Sequence, residues 1–203
     1  MRSLTKSHFG FVLLLSVVLL VGCNSQESDQ RNYYDKVATD NIAQEPLIAV
    51  TDEDYLQYGA RVAYLNTVGD TIIPFGKYAY LGTDTLVHYA NVMELPKDGE
   101  YGRWIAIDKD QNILYDVMPF DNGPDYFMEG LVRVKRNGKI GYANKYGQIV
   151  ISCEYAFASW FENGRAEVTY EATLSQEFGE HTKVSSDSWF TIDKQGNTVK
   201  DID

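Results

Sequence analysis

Catalysis needs a nucleophile, a metal-ligand set or a pair of acids at workable spacing, and this chain offers few. Beyond residue 22 it has two histidines, His88 and His181, and neither stands at metal-ligand spacing from a cysteine or from the other. No Gly-Xaa-Ser-Xaa-Gly elbow, phosphate loop or dinucleotide fingerprint occurs. Asp121-Asn-Gly-Pro-Asp125 and Asp52-Glu-Asp54 gather oxygens of the kind Ca²⁺ takes, but neither has the twelve-residue loop closed by a bidentate Glu. By composition, Asp121 to Asp125 is a turn. With 29 Asp and Glu in the chain, acidic pairs are too common to define a glycosidase. Neither a metal nor a cofactor is expected. Binding is the remaining chemistry, and two loops are its candidates. One is the turn with Asp121, Asp125 and Tyr126. The other is the polar insertion from Thr169 to Ser188, with Glu177, Phe178 and His181 near its tip.

The two cysteines have different settings. Arg2 and Lys6 make a basic start, Phe9 to Leu20 an apolar run, and Leu20-Val21-Gly22-Cys23 follows at once. This resembles a bacterial lipoprotein signal, which implies removal of residues 1–22 and acylation of Cys23. The apolar run is short for a bilayer span. The alternatives are a signal cleaved near Gly22 beside an incidental cysteine, and a short uncleaved anchor. Acylation would leave Cys153 alone, without an intramolecular disulfide, so core packing must hold the domain together. Cys153 itself reads as a small buried hydrophobe. Removing Arg2 and Lys6 leaves 16 basic against 29 acidic residues, a net charge of −13. That field disfavours nucleic acid, and also an anionic membrane surface beyond the lipid anchor.

Residues 23–45 are polar and without a usable period, as expected of a lipidated tether with a helical turn near Tyr33 to Ala38. A coil of this length reaches on the order of 25 Å. Asn24 is not the Asp that resembles an inner-membrane retention signal, which favours the outer membrane. Glu27 and Asp29 faintly resemble the export signal of surface lipoproteins of the Bacteroidetes type.

Residues 46–203 carry the fold. Leu131 to Lys135, Ile140 to Asn144 and Gln148 to Cys153 read as strands, joined by Asn137-Gly138 and by Asn144-Lys-Tyr-Gly147. The pattern restarts: Phe161-Glu-Asn-Gly-Arg-Ala-Glu-Val168 repeats Phe127-Met-Glu-Gly-Leu-Val-Arg-Val134 after 34 residues. The Asx-led turn recurs at Asn66, Asp108, Asn144 and Asp193, spaced 42, 36 and 49 residues apart. In the second instance Gln111 replaces the glycine, which predicts strain or another shape. These features resemble the WG (KWG) β-repeat family from about Gly59 onward. The Trp-Gly pair is nowhere intact, since Trp104 and Trp189 precede Ile105 and Phe190, and Gly141 follows Ile140.

The resemblance implies an all-β fold: an array of short antiparallel three-stranded meander repeats, about three and a half units, forming a curved sheet or solenoid-like domain. A small propeller is the alternative. The 15 tyrosines are expected mainly in the core, at equivalent sites such as Tyr64 and Tyr142, Tyr101 and Tyr126, and Phe127 and Phe161. The insertion is expected to extend one hairpin, with its turn near Glu177 to Glu180. The functional expectation is a non-catalytic envelope lipoprotein that binds a protein or glycan. A structural or assembly role, and a carboxylate-dependent hydrolase, are the competing readings.

Overall fold

The structure, a computed structural model, describes residues 45–95, 102–176 and 182–200. The leader, Cys23, the tether up to residue 44, Tyr101, and the insertion residues Glu177, Phe178 and His181 lie outside the described residues. No helix occurs among the described residues; the fold is all β, every pairing is antiparallel, and no sheet closes.

In chain order the first strands are β1 (Leu47–Val50), β2 (Arg61–Leu65), β3 (Thr71–Tyr80) and the two-residue β4 (Thr85–Leu86). Next come β5 (Ala90–Glu94), β6 (Trp104–Ile107), β7 (Ile113–Val117) and a small ribbon, β8 (Pro119–Phe120) with β9 (Gly123–Pro124). Then follow β10 (Leu131–Arg136), β11 (Lys139–Asn144), β12 (Ile149–Tyr155) and β13 (Phe157–Ala158). The last are β14 (Arg165–Thr169), β15 (Thr173–Gln176), β16 (Thr182–Ser185), β17 (Phe190–Asp193) and β18 (Thr198–Val199). One sheet of ten strands runs β12-β11-β10-β7-β6-β5-β3-β2-β1-β4, and a second of four runs β13-β14-β17-β18. The strands therefore do not form one unbroken ladder: after Tyr155 the chain turns into β13, which pairs with β14 and starts the second sheet.

Four of the hairpins share one turn. At Asn66, Asp108, Asn144 and Asp193 the side-chain oxygen accepts the amide of the residue four ahead, at 2.8, 2.8, 3.1 and 2.8 Å. The same first residues take their backbone carbonyl partners four ahead, and their own carbonyls accept the amide three ahead. The register that follows is also common: Leu65↔Thr71, Ile107↔Ile113, Ala143↔Ile149 and Ile192↔Thr198. Short Asx side chains mimic a backbone turn, so residue type dictates geometry locally. Gln111 adopts φ +66, the strained left-handed conformation that its place in the turn demands. Asn137-Gly138 has φ of +52 and +76, as a primed two-residue turn requires.

Alternation along the strands sends neighbours to opposite faces; in β6, β7, β10 and β11 both sets are largely buried, whereas β1 and β12 expose alternate residues. Tyr142 belongs to a core between β10–β12 and the second sheet, with Phe161, Ala166, Val168 and Ile192. Ala143, one residue on, faces the other way toward Val132, Val134 and Tyr115. Burying a side chain such as Phe161 contributes about 1.5–3 kcal/mol. Tyr64 and Tyr142 are fully buried, as expected, and each donates its hydroxyl to a carbonyl further along, Thr83 at 3.0 Å and Ser159 at 2.7 Å. Burial raises both phenols well above the ordinary tyrosine range. Phe127 and Tyr126 correct the expectation of core tyrosine and phenylalanine at equivalent sites. Phe161 packs on Tyr142 at 4.8 Å under the second sheet, whereas Phe127 is 43% and Tyr126 53% exposed.

The insertion does extend a hairpin. Val168↔Phe190 and Thr173↔Ser185 lie in the same register, so β15 and β16 continue the ladder of β14 and β17 outward. A knot of hydroxyls, Thr169, Ser186 and Ser188, marks the break between the two segments.

Candidate binding groove

The turn from Asp121 to Asp125 is the tip and return of the β8–β9 ribbon. Asp121 and Asn122 both have positive φ, +46 and +64, so the two residues form the whole loop and Phe120 pairs with Gly123. Asp121 is exposed at this tip. Asp125 is not: its carboxylate is buried and holds Arg133 in a bidentate pair, Nε to Oδ2 at 2.8 Å and an Nη to Oδ1 at 3.1 Å. The sequence places Asp125 among the contact residues; the structure buries its carboxylate in this pair. Both of its oxygens accept hydrogen bonds inside the protein.

The same carboxylate accepts the indole Nε1 of Trp160 at 2.8 Å, and the Arg133 guanidinium lies over the Trp160 ring, 4.6 Å from its centroid. Arg133 also donates to the carbonyl of Ala158 at 3.2 Å. A buried cation and a buried anion are tolerable only when paired and hydrogen-bonded, and this pair is both. Phe120 packs edge-on to Trp160 at 4.6 Å and to Tyr126 at 5.5 Å. Trp160 and Tyr126 are 34 residues apart, each just before a positive-φ turn, Asn163-Gly164 and Glu129-Gly130. Phe120 thus bridges two positions that correspond in the sequence.

Those two turns touch. Gly164 N donates to the Glu129 carboxylate at 3.0 Å, and Lys194 Nζ pairs with the same carboxylate at 2.9 Å. The Lys194 hydrogen bond, with help from the Gly164 amide, holds Glu129 below the ordinary glutamate range. Beside them opens a groove of about 500 Å³, lined by Met128, Trp160, Glu162, Arg165, Glu167 and Thr191 among others. Met128, 40% exposed, is the member of the exposed run Tyr126-Phe127-Met128 that lines this groove, whereas Phe127 lines a separate small cavity with Tyr89, Tyr115 and Val132.

Other chemistry is sparse among the described residues. His88 meets Tyr146 edge-on at 5.0 Å. Asp193 is held low by Asn197 and by turn amides, the signature of an Asx turn rather than of an acid catalyst. No cluster of three or more metal-binding side chains occurs among the described residues. Burial raises the Cys153 thiol to about 11.

Arg133 and Trp160 were not singled out by the sequence. A signal existed for Arg133, a charge inside the otherwise apolar run Leu131-Val132-Arg133-Val134, where strand alternation leaves little room for an unpaired cation. No protein-family model matches the chain, and neither a curated protein nor a solved structure does.

Proposed function

We propose that the chain is a lipid-anchored lipoprotein of the bacterial cell envelope, whose WG-like β-repeat domain binds a protein or glycan and catalyses no reaction. The observation that carries the binding reading is the groove of about 500 Å³ that Met128, 40% exposed, lines together with Trp160, Phe161 and Ala166, with Tyr126 and Phe127 exposed just before it in the chain. Exposed aromatic and thioether surface is unfavourable in water and marks interaction sites when it is contiguous. A buried ion pair fixes Trp160 behind it, so the surface is pre-shaped. The repeat reading is supported by the four turns with a common hydrogen-bond pattern and register. The shifted carboxylates, Glu129 and Asp193, move down, whereas an acid catalyst at neutral pH needs its carboxyl raised.

In this reading Cys23 carries the lipid, Asn24 stands where an inner-membrane protein would have the retention Asp, which favours the outer membrane, and the tether separates domain from bilayer. Two measurements test it. Cys23→Ser should shift the protein from the membrane to the soluble fraction. Affinity capture from solubilised envelopes should return partners with the wild type that Met128→Asp loses; identical partner lists would refute the groove's role. Protease treatment of intact cells then decides which side of the membrane it faces.

A structural or assembly role has one observation in its favour. The β15–β16 ribbon presents Leu174, 65% exposed, paired in register with Val184. Deleting the ribbon and finding altered envelope integrity with unchanged partners would favour that role.

A further inference from the structure

We propose that the Trp160 groove receives a polypeptide segment presenting one large apolar side chain flanked by Lys or Arg, and not a sugar. The proposal rests on the binding reading above and narrows its ligand.

Sugar sites offer an open aromatic face and free hydrogen-bonding groups converging on hydroxyls. Here the groove's own aromatic ring has its N–H and one face engaged within the protein, and its serine hydroxyl is engaged too. The Trp160 Nε1 is bound to Asp125 and its ring lies under the Arg133 guanidinium. Ser159 Oγ accepts the Glu167 amide at 2.9 Å and donates to the Trp160 carbonyl at 2.8 Å. The apolar side chain on the lining that reaches solvent is Met128, 40% exposed, over a floor that includes Phe161 and Ala166. Methionine adapts its shape to whatever apolar group arrives, which suits an inserted side chain.

The charges around the groove set the flanks of that side chain. Glu162 and Glu167 are exposed on its lining, against Arg165. Asp193 pairs in register with Arg165, and the whole chain is strongly acidic. A basic segment gains from this field both at long range and at contact, while an acidic one is repelled. The floor is also preorganised, because the Glu129–Gly164 and Glu129–Lys194 contacts tie the two turns at its end together.

Fluorescence anisotropy tests this with the full lipidated chain in nanodiscs of zwitterionic phospholipid. The probes are a labelled heptapeptide with a central tryptophan between lysines, the same peptide with glutamates, and a labelled N-acetylglucosamine trimer. The lysine peptide is expected to bind at least about tenfold more tightly than the glutamate peptide. Glu162→Gln with Glu167→Gln, and separately Met128→Ala, should each weaken it by about tenfold. Glu171→Gln with Asp187→Asn, acids of the insertion, should leave it unchanged. Equal binding by the Glu162/Glu167 variant would show attraction to net charge alone and overturn the proposal. Binding of the sugar, lost in Met128→Ala, would overturn the peptide assignment while leaving the groove a binding site. Binding of no probe would overturn it as well, and the groove itself would then be judged by contacts trapped in the cell.

Discussion

Replacing Asp125 by Ala removes one partner of a buried pair and leaves the other in place. Arg133 would lose both of its carboxylate bonds, at 2.8 and 3.1 Å, and Trp160 would lose the acceptor of its indole N–H. The side chains are 10% exposed for Arg133 and 0% for Asp125, so water cannot readily replace what is lost. Breaking such a pair from one side costs about 3–5 kcal/mol. In a domain of this length each kcal/mol moves the midpoint by about 2–4 °C, giving a drop of roughly 6–20 °C. Asp125→Leu combined with Arg133→Met should lose much less than either single change, because no charge is then stranded. Urea and thermal melts followed by circular dichroism and tryptophan fluorescence measure both. The reasoning fails if Asp125→Ala stays within about 1 kcal/mol of wild type, or if the double variant is as unstable as the two single losses added together.

Three further outcomes follow from local geometry. Gln111→Gly should stabilise by about 0.5–1 kcal/mol, since φ +66 strains a side chain and not glycine; the exposed bond from Lys77 is a small loss against it. Cys153, at about 11 against an ordinary 9, should react with iodoacetamide about 100-fold more slowly at pH 8 in the folded protein than in urea. Glu129 should titrate by NMR below its ordinary value of 4.5, and Lys194→Met should bring it back up. Because the folded value is depressed, its contribution to stability is present above the ordinary glutamate value and fades as pH falls through the folded one.

The turns at Asn66, Asp108, Asn144 and Asp193 were legible because an Asx oxygen satisfies its own neighbours' amides, a geometry written within five residues. The strands from Leu131 to Tyr155 were legible for the same reason, with boundaries within two residues. Even the misfit at Gln111 was visible, as a residue type set against the conformation its turn requires. Burial was less legible. Phe127 and Phe161 occupy matching positions, yet one faces solvent and the other lies beneath the second sheet, a difference made by strands far away in sequence. Asp125 read as a loop carboxylate because nothing nearby announces that Arg133 and Trp160, eight and 35 residues on, fold back onto it. Ion pairs closed by tertiary packing leave no local period.

The most direct test of the account is photocrosslinking in intact cells, with a benzoylphenylalanine placed at Met128 of the full lipidated chain and, as a control, at Val68, which is 80% exposed on the first Asx turn. The account predicts a discrete protein adduct from position 128 that Glu162→Gln with Glu167→Gln diminishes, and none from position 68. No adduct at 128, or the same pattern from both positions, would contradict the claim that this groove is where the protein meets its partner.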